Sequence, residues 1–208
     1  MTKRLIVLAG VAVAIAAVIG VDWGGSLGTY LPCRRNWGWL PSYSPRQSPT
    51  ESVLFQVGST RVKVCYGSPR ARGRKMIGGV AVPFGRLWRT GANEPTTIRT
   101  SGPIRVAGQL IADGKASLYT VPGPETWEVV LNRSTAQWGI ESAYDPSVAA
   151  EEIRRTVLPV ETGTEYQEAF AIAAEVISPG GLVWLVLRWE NTTLRIPVEP
   201  GVKEDRPT

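Results

Sequence analysis

The sequence predicts an all-β fold, an antiparallel β-sandwich or flattened barrel, preceded by an N-terminal transmembrane helix. Several short stretches alternate apolar and polar residues, which is the pattern of strands with one buried face. Glycine and proline, 22 and 16 residues in a chain of 208, separate these stretches and favour frequent turns. A continuous apolar run at residues 5–21 stands apart from this pattern and accounts for the helix.

Three stretches carry the alternation most clearly. Residues 61–66, 127–132 and 193–198 place apolar side chains at every second position, so we expect half-buried strands there. Residues 182–187 are apolar on both faces, which is typical of a central strand. The residues expected in the core are Trp88, Trp127, Val129, Leu131, Trp184, Val186 and Leu194.

Three other regions have less regular patterns. Asp113 and Gly114 form a two-residue turn signal between two apolar pairs and predict a β-hairpin. Residues 165–178 fit both an alternating strand and an alanine-rich helix, and both interpretations stay open. Residues 147–155 indicate one short helix. The remaining pattern corresponds to about nine short strands, which suits a sandwich or a barrel.

The apolar run at residues 5–21 is the candidate membrane anchor. As an α-helix, this run of about 17 residues would span about 26 Å, which is the lower limit for crossing a bilayer. Lys3 and Arg4 precede the run and Asp22 follows it, so the positive-inside bias places residues 1–4 in the cytoplasm and the domain outside. A cleavable signal peptide is the alternative, because small residues occur near the end of the run.

Four aromatic residues follow the anchor closely in sequence. Tryptophan and tyrosine concentrate at membrane–water interfaces, where an apolar ring and its polar group are both accommodated. The other explanation is that some of these rings dock on the domain itself. The four residues are Trp23, Tyr30, Trp37 and Trp39.

Cys33 and Cys65 are the two cysteines of the chain. Outside the cytoplasm they can form a disulfide. It would close a loop of about 32 residues, contribute about 3 kcal/mol and tie the juxtamembrane segment to the first strands. Two buried free thiols are the alternative, and the sequence leaves both open.

The chain therefore divides into five parts. Residues 40–52 are rich in proline and serine and indicate an extended linker, whereas the polar C-terminus indicates a flexible tail. The parts are a cytoplasmic N-terminus (1–4), the anchor (5–21), a juxtamembrane aromatic segment with the linker (22–52), the β domain (53–198) and the tail (199–208).

Residues 66–98 combine many glycines and prolines with six basic residues, so we expect short strands joined by fixed turns there. The run WRTGANE at 88–94, with Tyr66, Gly79 and Gly85 before it, resembles the bacterial family catalogued as domain of unknown function 2911. Similar blocks at 117–122, 127–132, 137–139 and 186–198 extend the resemblance to about residues 53–199. Residues 112–116 depart from it, since the family usually has a Pro-Ala-Gly-Thr-Tyr turn there. The resemblance implies a fold and almost no chemistry.

The basic side chains of this stretch have two interpretations. The first interpretation is an anion pocket beside the ring of Trp88, because arginine binds carboxylate and phosphate with paired hydrogen bonds. The second interpretation, which we favour, is an internal salt-bridge network in which Glu94 is the first partner expected for Arg74 and Arg89. The residues concerned are Arg72, Arg74, Arg86, Trp88, Arg89, Asn93 and Glu94.

The composition argues against catalysis. Histidine is absent, which removes the commonest general base and metal ligand, and no sequence motif indicates a metal or a cofactor. Glu94 and Asp113 are an acid–base pair in principle, but a salt bridge and a turn explain them more simply. The net charge of +5 favours anionic surroundings. Nucleic acid is not an expected partner, because the charge is modest and the compartment is extracytoplasmic.

Together these features predict a non-catalytic accessory or structural subunit of a larger membrane complex, for example a respiratory or photosynthetic one. A single span would hold it in the cell membrane, with its domain on the periplasmic or other extracytoplasmic side. Its partners would be other membrane-protein subunits and the lipid bilayer. The rival hypothesis is an extracytoplasmic module that binds an anionic sugar, a lipid headgroup or a peptide, and the third is an unrecognised enzyme.

Overall fold

The computed structural model describes residues 28–33, 46–112 and 114–201. Within them, nine strands form one open sheet in the order β1-β2-β3-β6-β7-β8-β9-β4-β5, and every neighbouring pair is antiparallel. The all-β, antiparallel prediction is therefore confirmed. The strands are β1 (Thr50–Val57), β2 (Thr60–Gly67), β3 (Thr96–Thr100), β4 (Ile104–Val106), β5 (Gln109–Ile111), β6 (Gly114–Val121), β7 (Thr126–Asn132), β8 (Glu152–Val176) and β9 (Val183–Pro200).

The period-two pattern correctly predicts the buried face of these strands. In β2, Val62 and Val64 are buried and lie opposite Thr100 and Ile98 of β3. In β7 the alternating residues 127, 129 and 131 are all buried. Because side chains point alternately to the two faces of a strand, this spacing places one face of the sheet against the core.

The last two strands are much longer than the short strands expected from the sequence. β8 has 25 residues and β9 has 18. The ambiguous region 165–178 is therefore mostly strand. β8 pairs with β7 from Glu152 to Pro159 and with β9 from Val160 onward. A single strand thus joins the two halves of the sheet.

The helix expected at residues 147–155 is shorter than predicted. The helix α1 covers Pro146–Ala149, and a 3₁₀ turn covers Glu141–Ala143 just before it. Asp145 caps α1 by accepting hydrogen bonds from the amides of Ser147 and Val148 at 2.8 and 3.0 Å. The helix cannot continue to residue 155, because the chain already pairs with β7 from Glu152.

The hairpin predicted at Asp113-Gly114 is wrong. β5 and β6, which flank this position, are not neighbours in the sheet. The hairpin forms one turn earlier, between β4 and β5, where Val106 lies opposite Gln109. Its two loop residues, Ala107 and Gly108, have φ of 50° and 76°, as a tight two-residue hairpin requires.

Four aromatic rings form the centre of the core. Trp88 stacks on Trp189 of β9 with ring centroids 5.7 Å apart, and it meets the edges of Trp127 and Phe170 at 6.1 and 5.2 Å. All four side chains are at least nine-tenths buried. Because Trp88 comes from a loop and the other three from β7, β8 and β9, this cluster fixes the loop to the sheet.

One of the predicted core residues is misplaced. Trp88, Trp127, Val129, Leu131 and Leu194 belong to the core cluster. Trp184, by contrast, is half-buried, because it lies on the face of β9 opposite Val183 and Leu185. Val186 shares that opposite face and is fully buried outside the cluster. A strand that is apolar on both faces leaves its inner face undecided from sequence alone.

Among residues 28–33, 46–112 and 114–201, no helix has the length and apolar character needed to cross a bilayer. The predicted anchor at residues 5–21, Trp23, Trp37, Trp39 and most of the predicted tail lie outside the described residues.

Truncating Trp88 tests the importance of the aromatic cluster. We expect Trp88→Ala to lower the free energy of unfolding by about 3–5 kcal/mol, because it empties the centre of the core. Trp184→Ala, which removes the same side chain from a half-buried position, should cost about 1 kcal/mol. Urea denaturation of both variants provides the measurement. Equal losses for the two variants would contradict the assignment of Trp88 to the core.

Candidate functional site

The loop at residues 88–94, called here the signature loop, is held by its own backbone and by β6. Trp88 exchanges two backbone hydrogen bonds with Thr120, at 2.7 and 2.9 Å. Its indole Nε1 donates to the carbonyl oxygen of Gly91 at 3.1 Å. Thr90 is fully buried with a φ of 54°, which is unusual for a β-branched residue. The loop is therefore a rigid structural element.

Two close backbone approaches explain glycines around this loop. A Cβ atom at Gly67 would lie 2.0 Å from the carbonyl oxygen of Ala92. One at Gly139 would lie 1.9 Å from that of Asn93. Both distances are far below van der Waals contact, so no side chain fits at either position. The family-like motif around residue 139 thus serves the signature loop.

The arginines of the predicted network are bound separately. Arg74 donates to the carbonyl oxygen of Ala71 at 3.0 Å. Arg89 donates to the carbonyl oxygen of Gly139 at 3.1 Å and to the carboxylate of Glu141 at 3.2 Å. Neither pairs with Glu94 in the described contacts, so the partner predicted for them is wrong.

Glu94 instead binds an arginine from the region expected to be a linker. Both of its carboxylate oxygens accept from the guanidinium of Arg46, and the Nη2 to Oε1 distance is 2.8 Å. The side chains of Arg46 and Glu94 are only 11% and 15% exposed. The pair fastens the segment before β1 to the signature loop. Asn93 adds a second contact there by donating to the carbonyl oxygen of Ser48 at 3.1 Å.

The structure does not gather the predicted residues into an anion pocket. Arg72 is exposed and donates to Gln47 at 3.3 Å, and Arg86 is exposed on the surface. Trp88 is buried in the core. None of the four arginines at 72, 74, 86 and 89 lines the groove described below.

Sequence reasoning missed Glu190, which organises the other end of the 66–98 stretch. Its two carboxylate oxygens accept from the backbone amides of Met76 and Ile77 at 2.9 and 2.8 Å. Glu190 has a φ of 52° and lies at the register shifts between β8 and β9. The sequence contains a signal for this bulge. The residues of β9 that face the core cluster are odd-numbered up to Trp189 and even-numbered from Leu194.

A groove of about 310 Å³ opens beside Glu190. This volume is at the lower end of the range for small-molecule sites. Its walls combine the partly exposed rings of Phe84 and Tyr166 with hydroxyl, amide and ammonium groups. The polar lining residues are Lys75, Thr162, Glu190, Asn191 and Thr192.

The segment at residues 28–33 lies on β2 and β3. Cys33 and Cys65 are joined by a disulfide. The ammonium group of Lys63 donates to the carbonyl oxygen of Leu31 at 2.6 Å, and Arg99 donates to that of Gly28 at 3.3 Å. Tyr30, predicted at the membrane interface, is mostly exposed with the guanidinium of Arg61 4.0 Å from its ring centroid.

Tyr119 of β6 is buried behind the signature loop. Its hydroxyl accepts a hydrogen bond from Gln137 Nε2 at 2.9 Å, and its ring meets that of Tyr144 edge-on at 4.8 Å. Burial raises the pKa of Tyr119 to about 12. Burial, together with the hydrogen bond to the Glu152 carboxylate, also raises the pKa of Tyr144.

The described residues contain no group of three or more His, Cys, Asp or Glu side chains placed to hold a metal ion. Of the candidate acid–base pair, Glu94 is bound by Arg46 and Asp113 lies outside the described residues. The features that could serve a function are therefore the rigid signature loop, the groove beside Glu190 and the segment at residues 28–33 that is bound to β2 and β3.

Comparison with known proteins places these features in one family. The family described as protein of unknown function (DUF2911) matches residues 48–198. The chain belongs to this family. No curated protein and no solved structure matches the chain. The match covers all nine strands except the last residues of β9, so the signature loop and the groove are both within it.

Removing the charge of Glu94 tests its role in the signature loop. We expect Glu94→Gln to destabilise the protein by about 2 kcal/mol, because Arg46 keeps its charge in a mostly buried position without a counterion. The matched control is Glu161→Gln, whose ion pair with Arg195 is exposed, and which should change stability by less than about 0.5 kcal/mol. Thermal melts of both variants compare the two. A Glu94→Gln variant that melts like the parent would contradict the structural role of this pair.

Alkaline titration tests the environment of Tyr119. The folded protein keeps this proton up to a pH of about 12, whereas the unfolded chain releases it near 10. Unfolding therefore releases a proton in this window, and stability should fall by about 2 kcal/mol between pH 10 and 12. Tyr119→Phe should reduce that loss. The absorbance of ionised tyrosine follows the titration, and a Tyr119 that ionises near pH 10 would contradict its burial.

Proposed function

We propose that the chain is a non-catalytic accessory subunit, a β-sandwich domain anchored in the cell membrane by residues 5–21 and facing the extracytoplasmic side. It works by contact with other membrane-protein subunits. The observation that carries this proposal is the fixed position of residues 28–33 on the sheet, just after the apolar run. The compartment, the distance to the membrane and the nature of the signature loop each support it.

The disulfide supports the compartment. Structural disulfides persist outside the cytoplasm, where no reducing system opens them. The Cys33–Cys65 bond links the segment after the apolar run to β2. This agrees with the charge distribution around the run, in which Lys3 and Arg4 lie on one side and Asp22 on the other.

The contacts that hold residues 28–33 on β2 and β3 limit how far the domain can lie from a membrane. Residues 22–27 separate the end of the apolar run from Gly28, whose carbonyl oxygen is bound by Arg99. Seven backbone steps reach about 25 Å at full extension. If the run spans a bilayer, β2 and β3 are held close to the membrane surface. A domain held this near would meet the outer faces of neighbouring membrane subunits.

The signature loop supports contact more than chemistry. Its polar groups are used by the loop itself, by Arg46 and by the turn at Gly139. The stretch before the loop exposes apolar side chains beside the exposed Arg72 and Arg86, with Val80 fully exposed and Phe84 about half exposed. Tyr166, which lines the same groove as Phe84, is also about half exposed. Exposed apolar side chains near one another are typical of protein contact sites.

Purification from native membranes in a mild detergent tests the proposal. The full chain should run with stoichiometric partner subunits in size-exclusion chromatography, and sequencing of the mature protein should begin before residue 16. Val80→Arg should reduce the amount of bound partner. Val157→Arg, which changes an exposed valine on β8, should leave it unchanged. A monomer without partners, or a chain that begins after about residue 16 or 20, would contradict the accessory role.

The groove favours one alternative, a ligand-binding module. A groove lined by two partly exposed aromatic rings and by hydroxyl and amide groups suits a small polar ligand with an apolar face, such as a sugar or a peptide. A monomer that binds such a ligand, and loses it in Tyr166→Ala but not in Val80→Arg, would favour this function over the first.

A further inference from the structure

The groove beside Glu190 lies where the core ends. Val160 of β8 lies opposite Leu194 of β9, and both face the core. Two residues further along each strand, Thr162 lies opposite Thr192, and both threonines line the groove. Because side chains two positions apart share a face of a strand, the threonines continue the face of Val160 and Leu194. The apolar core therefore ends in a layer of hydroxyl groups.

A bulge in β8 carries an aromatic ring to this groove. The register of β8 and β9 shifts between Thr162 and Gln167, where residues 163–166 lie across from the single residue Asn191. Extra residues in one strand bend that strand locally. Tyr166, the last of them, is about half exposed and lines the groove. The bulge thus supplies one aromatic wall.

Phe84 supplies a second aromatic wall, and its ring is held in place before any ligand binds. A Cβ atom at Gly78 would lie 2.6 Å from two ring atoms of Phe84, so the ring packs directly on the glycine. The amide of Gly78 donates to the carbonyl oxygen of Val82, and that of Gly85 donates to Pro122, both at 2.8 Å. A ring fixed in this way loses little conformational entropy on binding.

The hydroxyl and amide side chains of the groove have no hydrogen-bond partner among the described residues. They belong to Thr162, Asn191 and Thr192, and such groups both donate and accept. Among the described residues that line the groove, Lys75 and Glu190 carry charge, one of each sign. An anion would be attracted by the first and repelled by the second, so the lining favours a neutral ligand.

We propose that the groove binds a neutral sugar of one or two pyranose rings. The C–H face of the sugar would contact the rings of Phe84 and Tyr166, and its hydroxyl groups would bind Thr162, Asn191 and Thr192. A sugar suits this lining because it combines an apolar face with hydroxyl groups that donate and accept. The proposal rests on the ligand-binding alternative above, which it narrows to one class of ligand, and does not require the accessory role.

The size of the groove favours a sugar over a peptide. Peptide recognition commonly uses a strand edge or a groove long enough for several residues. A volume of about 310 Å³ is small for that purpose, whereas it suits a mono- or disaccharide.

Saturation-transfer NMR of the full chain, in a detergent without a sugar headgroup, tests the site. The neutral disaccharides cellobiose and lactose are the probes. Glucuronic acid is the charged comparison, and acetylated trialanine amide is the peptide comparison. We expect a neutral disaccharide to bind with a Kd of about 1 mM or below, roughly tenfold tighter than either comparison. The saturation should reach mainly the C–H protons of one sugar face, because that face contacts the aromatic rings.

Two pairs of variants locate the binding. Thr192→Val removes one hydroxyl at nearly constant volume and should weaken sugar binding roughly tenfold. Thr193→Val is its matched control, because this neighbour lies on the other face of β9 and does not line the groove. Tyr166→Ala should abolish binding, whereas Tyr30→Ala, which removes an exposed tyrosine from residues 28–33, should leave it unchanged.

Four results would each overturn the proposal. They are a parent that binds neither disaccharide, glucuronic acid that binds as tightly as the disaccharides, equal losses in Thr192→Val and Thr193→Val, and binding of the peptide alone. Peptide binding that is lost in Tyr166→Ala would keep the groove as a ligand site while excluding the sugar. If a variant fails to fold, the titrations of the parent decide. None of these results depends on partner subunits, so the accessory role is tested separately.

Discussion

The stacking of Trp88 on Trp189 connects the most irregular part of the chain to its longest strands. The loop before β3 has few ladder hydrogen bonds of its own, so a large buried ring is what fixes its position. Once Trp88 is in place, its backbone pairs with Thr120 and its indole closes the turn at Gly91. The unusual backbone at Thr90 persists because these contacts surround it.

The stretch at residues 66–98, which contains this loop, gathers segments from elsewhere in the sequence. Glu94 binds Arg46, Arg89 binds the turn at Gly139, and Glu190 binds the amides of Met76 and Ile77. Each contact uses a charged group to fasten a segment that has no strand partner there. The charged groups of this stretch thus act mainly as internal ties.

Sequence patterns predicted the features that depend on neighbouring residues. The alternation in β2 and β7 gave the correct local structure, because the direction of side chains along a strand is a local property. Features set by distant partners were not predictable in this way. The sequence does not show that Arg46 reaches Glu94 or that β5 pairs with β4 instead of β6. The apolar residues of β9 that face the core change from odd to even numbers around Glu190, and this change was not recognised as a bulge.

The order of strands in the sheet also constrains how the chain can fold. β4 pairs with the last part of β9, where Ile104 lies opposite Pro200. During synthesis, the β4–β5 hairpin therefore cannot pair with β9 until almost the whole domain has been made. Closing the long loop between β4 and the end of β9 is slow. Until then the edge of β4 that pairs with β9 is unpaired and open to other extended chains. A protein with this topology would gain from a chaperone, or from rapid capture of the final strand, during its passage to the folded state.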